Sequence, residues 1–200
     1  MRLITVGQLI PRKGFLTALE AFRIVRDAGL PVRLTMVGEG PQAALLRRFV
    51  QQWNLRSSVE LLGYRSRQEI QQLLAQHDLF LMPSRSEGMS NAVLEAMAAG
   101  LPVLATASGC HDLVVDSACG EVTPVDDAVA LAEAIQRLVL APAQRRQCGE
   151  AAAAYARQHT WRGTANTFCE LFQQLAHGPH RVAPQDHHNQ DRPTTRVGRR

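Results

Sequence analysis

Residues 83–102, PSRSEGMSNAVLEAMAAGLP, begin and end with proline and lie between two short apolar runs, residues 79–82 and 103–105. The apolar spacing inside this stretch predicts a helix over residues 91–99, because the glycine and proline that follow end a helix. Each apolar run has the length of a buried strand. Two short strands joined by a loop and a helix form a βαβ unit, in which the strands are parallel. The sequence therefore predicts an α/β fold.

The same alternation runs through the rest of the chain. Apolar runs predict further strands over residues 3–6, 32–37, 59–62 and 120–124. Amphipathic segments predict a helix after each strand except the run at 103–105, which a turn is expected to follow. Of the 200 residues, 46% are hydrophobic and only 5% are aromatic, so we expect one domain of ordinary size with an aliphatic core. We assign this domain to residues 1–177.

Two carboxylates with seven residues between them, Glu87 and Glu95, lie in the first stretch. Glu87 belongs to the loop, and Glu95 to the second turn of the predicted helix, whose side chains lean back toward its N-terminus. In βαβ units this loop and the helix N-terminus bind ligands, because exposed N–H groups and the helix dipole favour an anion. Ser90 or Asn91 is expected to cap the helix by accepting from its free N–H groups. Both carboxylates can therefore face one ligand pocket.

The string EGMSNAVLEAMAAGLPV, which begins at Glu87, resembles the Glu-x7-Glu motif of retaining glycosyltransferases with the GT-B fold, the large family four. The resemblance implies a Rossmann-like parallel sheet flanked by helices, the single C-terminal domain of the GT-B fold. It also implies that Glu95 holds the ribose hydroxyls of a nucleotide-sugar, and that Glu87 lies beside the transferring sugar as the catalytic residue. The backbone amides that the resemblance places against the diphosphate and the sugar belong to Gly88, Met89, Ser90 and Asn91.

The loop after the first predicted strand carries Lys13, which is the only lysine in the chain. Its sequence, QLIPRKG, resembles the VGR…RKG element that follows the first strand of the donor domain in the same family. The resemblance implies that Lys13 and its neighbour Arg12 neutralise the donor diphosphate. Gln8 stands at the first basic position of the family element and is included in the donor site. Lys13, helped by Arg12, is therefore expected to compensate more of the phosphate charge.

Two glycine-containing turns follow the next strands. Residues 38–43, GEGPQA, fit the dinucleotide fingerprint G-x-G-x-x-A weakly, because that fingerprint belongs at the first strand of its domain. The resembled family has a turn of the same GxGP form, and we interpret these residues as a tight turn. Gly63 is followed by Tyr64 and Arg65, which the resemblance places along the nucleotide base. The alternative for these two is a loop aromatic ring and a surface cation.

The chain contains no Asp-x-Asp sequence, the metal-binding pattern of another class of glycosyltransferase. We therefore expect no metal and no cofactor. The resemblance implies a nucleotide-diphosphate-sugar as substrate, and we expect the UDP or GDP type. Charge on the leaving diphosphate is then met by Lys13, Arg12 and the helix N-terminus near Ser90. The resemblance implies that the C1–O bond of the donor breaks and that the acceptor attacks from the same face, with retention of configuration.

The net charge of +4 is concentrated at the end of the chain. Residues 178–200 contain five arginines, two aspartates and three prolines with little hydrophobicity, which predicts a disordered basic tail. The remainder is nearly neutral, so no nucleic-acid partner is expected. The sequence shows neither a signal peptide nor the ~20 apolar residues of a membrane-spanning helix. We expect a cytoplasmic protein with at most peripheral contact at the inner face of the membrane.

The resemblance covers about residues 1–176 and matches only the C-terminal half of a GT-B enzyme. It implies that a carbohydrate or lipid-linked acceptor is bound mainly by a missing N-terminal domain or partner chain. We expect the chain to bind a nucleotide-sugar for polysaccharide or glycolipid synthesis, but to be inactive or weak in transfer alone. Two alternatives stay open: a non-catalytic remnant or interaction module that retains the nucleotide site, and a nucleotide-sugar epimerase.

Overall fold

The computed structural model describes residues 1–108 and 110–177, within which strands and helices alternate. The helix His111–Asp116 stands where the sequence predicted a turn. The strands are β1 (Arg2–Val6), β2 (Arg33–Val37), β3 (Val59–Gly63), β4 (Leu79–Met82), β5 (Val103–Thr106) and β6 (Gly120–Thr123). The helices are α1 (Phe15–Asp27), α2 (Ala43–Gln52), α3 (Arg67–Leu74), α4 (Asn91–Ala98), α5 (His111–Asp116), α6 (Ala128–Leu140), α7 (Pro142–Gln158) and α8 (Trp161–His177). A 3-10 turn, Pro11–Lys13, precedes α1.

The six strands of the described chain pair in parallel and form one sheet with the order β3-β2-β1-β4-β5-β6. The chain builds outward from β1 to β3 and then returns to place β4 on the other side of β1. The loops that leave β1 and β4 therefore run in opposite directions and open a crevice. Such a switch point, at the carboxyl ends of the strands, is where open α/β sheets bind ligands. The predicted Rossmann-like parallel sheet flanked by helices is confirmed.

Neighbouring residues of β4 enter different hydrophobic cores, because side chains alternate between the two faces of a sheet. Leu79 and Leu81 pack in the core covered by α1, α2 and α6, whereas Phe80 and Met82 pack in the core covered by α3, α4, α5 and α7. All four side chains are at most 3% exposed. Burial on both faces explains why this strand is a continuous apolar run. It also fixes the start of the loop that follows Met82.

The chain divides into two compact units, Met1–Thr160 and a second that begins at Trp161. The first unit contains the sheet and helices α1 to α7, and the division falls inside the domain predicted for residues 1–177. None of the described helices combines the length and the apolar character needed to cross a membrane. The basic tail predicted for residues 178–200 lies outside the described residues.

Candidate functional site

The loop after β1 is fastened to the loop after β4 at the switch point. The 3-10 turn Pro11–Lys13 ends at Gly14, whose φ of +67° lies in the left-handed region. A Cβ atom at residue 14 would lie 1.8 Å from the carbonyl oxygen of Pro83, so glycine is required for this close approach. The backbone N–H of Arg85 also donates to the carbonyl of Arg12 at 2.7 Å. The turn with the two predicted basic residues is therefore held against the loop that follows β4.

Lys13 and Glu87, which are 74 residues apart in the sequence, form an ion pair in which Lys13 Nζ lies 2.5 Å from Glu87 Oε1. Their side chains are 16% and 8% exposed, so the pair is largely shielded from water. Ser84 Oγ donates to the same carboxylate oxygen at 2.9 Å, and the Glu87 N–H donates to the Ser108 carbonyl at 2.7 Å. Charge-assisted hydrogen bonds are stronger than neutral ones. The structure thus brings two predicted site residues together and fixes the carboxylate in place.

Ser84, which the sequence analysis did not select, connects the loop after β4 to the end of β5. It is fully buried, and its carbonyl accepts hydrogen bonds from the hydroxyls of Thr106 and Ser108, the latter at 2.6 Å. Buried polar groups are almost always paired in this way. The available signal was the position of Ser84 and Thr106, which are polar residues at the carboxyl ends of apolar runs.

The segment that leads into α4 is exposed except at one residue. Gly88, Met89 and Asn91 are exposed, Met89 by 76%, whereas Ser90 is buried. The predicted cap is wrong: Ser90 is the N-cap residue and Asn91 the first helical residue, but no described side chain caps the first turn. The hydroxyl of Ser90 accepts no hydrogen bond from the first turn of the helix. The positive end of the α4 dipole is therefore available to an anionic ligand.

The two predicted base-side residues do not contact the carboxylate of α4. Tyr64 is 69% exposed, and Arg65 is engaged within its own turn, where its Nη1 donates to the Tyr64 carbonyl at 2.7 Å and its Nε lies 3.8 Å from Glu69 Oε1. Glu95 instead faces Arg67, whose Nε lies 3.6 Å from Glu95 Oε1. The sequence analysis missed Arg67, because its proximity to Glu95 depends on the packing of α3 beside α4.

The GEGP segment forms the tight turn interpreted from the sequence. Gly38 and Gly40 have φ values of +141° and +155°. A Cβ atom at these residues would lie 1.8 Å from the Gly7 carbonyl oxygen and 2.5 Å from the Leu9 carbonyl oxygen. The turn therefore packs against the backbone on either side of Gln8, which is exposed.

His77 and Asp78 precede β4 and lie at the amino edge of the sheet, opposite the crevice. The ring nitrogens of His77 contact the Leu73 carbonyl at 2.6 Å and Thr35 Oγ1 at 2.9 Å, and burial lowers the pKa of this imidazole. Asp78 Oδ2 accepts from the Arg2 N–H at 2.6 Å. These side chains therefore serve the packing of the sheet edge.

Cys110 lies beneath the exposed loop, with its Sγ 4.0 Å from the Gly88 carbonyl oxygen. Burial raises the pKa of the Cys110 thiol, so it stays neutral at pH 7 and lines the loop as a small apolar group. In the described part of the chain, no group of three or more His, Cys, Asp or Glu side chains is placed to hold a metal ion.

The sequence matches the family described as Glycosyl transferases group 1 over residues 1–140. It is 36% identical over 140 residues to the putative colanic acid biosynthesis glycosyltransferase WcaL of Escherichia coli K12, covering 66% of this chain and 34% of that protein. It is 35% identical over 145 residues to the amylovoran biosynthesis glycosyltransferase AmsK of Erwinia amylovora, covering 69% and 36%. The chain thus spans about a third of the length of these curated relatives.

The crystal structure of Anabaena HepE in complex with UDP superposes with a TM-score of 0.75 at 23% identity, over 88% of this chain and 48% of that chain. This likeness shows the fold, a Rossmann-like domain of the GT-B type. The matched residues 1–140 extend from β1 through α6 and include Lys13, Glu87 and Glu95. The chain belongs to the glycosyl transferases group 1 family.

Proposed function

We propose that this chain is the donor-binding part of a retaining glycosyltransferase of family four, with a nucleotide-sugar of the UDP or GDP type as its substrate. The contact between Lys13 and Glu87 carries the proposal. It unites the basic loop after β1 with the first carboxylate of the Glu-x7-Glu pair at the switch point of the sheet. A diphosphate needs cations and N–H donors, and a sugar needs hydrogen-bond acceptors. The crevice offers both.

The donor diphosphate is proposed to bind between the 3-10 turn and the N-terminus of α4. Lys13 supplies one cation, and Arg12, whose Nη1 donates to the Ser86 carbonyl at 3.3 Å, lies on the same turn. The first turn of α4, which the Ser90 side chain does not cap, supplies N–H groups and the positive end of the dipole. Glu95, one turn further along α4, is proposed to accept hydrogen bonds from the ribose hydroxyls.

In the proposed reaction, the bond between C1 of the donor sugar and the diphosphate oxygen breaks, and the electron pair leaves with the diphosphate. The acceptor oxygen bonds to C1 on the same face, and its proton passes to the diphosphate oxygen that leaves. Lys13, Arg12 and the α4 N-terminus stabilise the charge that develops on the leaving group. Glu87 lies beside the sugar as the catalytic residue. These groups compensate the negative charge of the leaving diphosphate, and the chain contains no Asp-x-Asp sequence. We therefore propose a metal-independent reaction.

The names of two relatives, which act in colanic acid and amylovoran biosynthesis, support a role in polysaccharide synthesis. A carbohydrate or lipid-linked acceptor is proposed. Because the chain spans about a third of these relatives, we propose that an N-terminal domain or partner chain binds that acceptor, and that the chain alone is weak or inactive. We propose a cytoplasmic location, with which the free cysteines agree. Contact of the protein with the inner face of the membrane is proposed to be peripheral at most.

Calorimetric titration with UDP, GDP and ADP tests the proposal. One of UDP and GDP should bind, with the same affinity in EDTA and in Mg²⁺. Glu95→Ala should weaken this binding by about 1–3 kcal/mol, roughly 5- to 150-fold, because the hydrogen bonds to the ribose hydroxyls are lost. Glu20→Ala, which removes an exposed carboxylate from α1, is the matched control and should bind as the wild type does.

A folded chain that binds none of the three nucleotides would contradict the proposal and favour an interaction module. Product analysis separates a transferase from an epimerase, because an epimerase converts the nucleotide-sugar without an acceptor. Retention is checked by NMR of the new glycosidic bond when the acceptor-binding part is supplied. An inverted product would contradict that part of the proposal.

A further inference from the structure

Glu95 has a basic partner from another element, as Glu87 has Lys13. Arg67 Nε lies 3.6 Å from Glu95 Oε1. The side chain of Arg67 is 71% exposed and that of Glu95 is 28% exposed, so the arginine side of the contact is open to solvent. Each carboxylate of the Glu-x7-Glu pair is therefore matched by one cation.

The first turn of α3 presents Arg67 to Glu95. Ser66 is the N-cap residue: its Oγ accepts from the Glu69 N–H at 3.3 Å, while Glu69 Oε2 accepts from the Ser66 N–H at 2.7 Å. This capping box fixes the turn in which Arg67 is the first helical residue. Arg65, on the other side of the cap, is paired with Glu69. The turn thus directs its two arginines to different carboxylates.

The stability of α3 does not explain an arginine at residue 67. The N-terminus of a helix is the positive end of its dipole, so a cation in the first turn is unfavourable. The partner of Arg67 lies outside its own helix, on α4. Removal of this charge loses the exposed ion pair with Glu95 but relieves the unfavourable interaction with the dipole, so the folded chain should be about as stable as before.

We infer that Arg67 is a positioning residue of the donor site, which holds Glu95 Oε1 and so orients the carboxylate toward the ribose hydroxyls. The inference rests on the proposed function, because it takes Glu95 as the ribose-binding residue. An ionised carboxylate has about four lone-pair sites on its two oxygens, so one site can face the guanidinium while the others accept hydroxyl hydrogens. Arg67 acts through Glu95 and makes no contact with the nucleotide itself.

Calorimetry on the full chain with UDP and GDP tests this role. At about 20 mM salt, Arg67→Ala should lower the affinity for whichever of UDP and GDP binds. The expected loss is roughly two- to fivefold, the range for an exposed ion pair. At about 0.5 M salt the loss should vanish, because salt screens exposed charges. Arg67→Lys keeps the charge and should recover most of the affinity. Arg47→Ala, which removes an exposed arginine from α2 on the other face of the sheet, is the matched control.

Two further titrations separate positioning from direct contact. Arg67→Ala should have no effect in the Glu95→Ala background, because no carboxylate is left to orient. It should also have no effect on the 2′,3′-dideoxy form of the same nucleotide, which has no ribose hydroxyls for Glu95 to hold. The melting temperature of Arg67→Ala should be close to that of the wild type, because the lost ion pair and the relieved dipole interaction offset each other.

An unchanged affinity in Arg67→Ala at low salt would overturn the inference. A loss that persists in the Glu95→Ala background would also overturn it, by showing that the arginine contacts the nucleotide directly. Tighter nucleotide binding by Arg67→Ala would also overturn the inference, because it would show that Arg67 competes with the ribose for Glu95. A wild-type chain that binds neither UDP nor GDP would overturn the proposed function and this inference together, and it is distinguishable because Arg67 is then intact.

Discussion

Lys13 Nζ lies 2.5 Å from Glu87 Oε1, and this contact joins the loop after β1 to the loop after β4 where the sheet order reverses. Lys13 is the only lysine in the chain, and the Glu87 side chain is 8% exposed. A carboxylate shielded from water without a cation carries a large desolvation cost. The pair therefore avoids that cost for Glu87 and keeps a cation beside the position proposed for the diphosphate.

Replacement of Lys13 tests whether its ammonium binds the diphosphate in addition to pairing with Glu87. Lys13→Gln should weaken binding of the nucleoside diphosphate by about 1.5–3 kcal/mol, the range for hydrogen bonds to charged groups. The monophosphate should lose less, and Lys13→Arg should retain more affinity because it keeps a cation. Calorimetry gives the dissociation constants of the diphosphate and of the monophosphate, and their ratio is compared between the variant and the wild type. A ratio equal to that of the wild type would show that Lys13 serves only as the counter-ion of Glu87.

Gly14→Ala should detach the 3-10 turn from the loop after β4. The added Cβ would lie 1.8 Å from the Pro83 carbonyl oxygen, at a residue with φ of +67°. We expect a loss of about 3 kcal/mol or more in the free energy of unfolding, measured by urea denaturation. Gly29→Ala is the matched control, because Gly29 has a φ of +81° with nothing within 4 Å of the added Cβ. It should lose only the left-handed strain, about 1–2 kcal/mol. Equal losses would contradict the close packing of the two loops.

Folded stability should decrease on mild acidification through His77. Burial holds the pKa of this imidazole below its ordinary value of 6.5. The unfolded chain then takes up the proton more readily, so protonation favours unfolding. The contribution of His77 is complete above about pH 6.5 and is lost as the pH falls from there toward the lower pKa of the folded state. His77→Gln should flatten this part of the profile of melting temperature between about pH 8 and pH 5. An identical profile in the variant would exclude His77 as the cause.

The four cysteines should differ in their reaction with a thiol reagent. Cys110, Cys119 and Cys148 are buried, and burial raises the pKa of each thiol, whereas Cys169 is exposed. Because the thiolate is the reactive form, native protein should show one fast thiol, which Cys169→Ser removes. Mass spectrometry of the labelled peptides assigns the site. Fast labelling of Cys110 would contradict its burial beneath the loop that leads into α4.

The elements around the crevice were predicted to within a residue. β4, α4 and β5 match the expected stretches, because each is a short apolar pattern bounded by glycine, proline or a polar loop. The cap of α4 was not predictable in this way. A serine at an N-cap normally accepts from its helix, but Ser90 is buried and its hydroxyl makes no such bond. Whether a polar side chain caps a helix depends on the surroundings that the fold imposes.

The sequence by itself determined the α/β class, the order of strands and helices along the chain except for α5, and the choice of Lys13, Glu87 and Glu95 as candidate residues. These features reside in local periodicity and in short motifs. Only the tertiary structure decided the partners: Lys13 with Glu87, Arg67 with Glu95, and Ser84 with the end of β5. The first two of these contacts join loops and helices of different βαβ units. They depend on the placement of β4 beside β1 and of α3 beside α4, and local patterns carry no information on such placement.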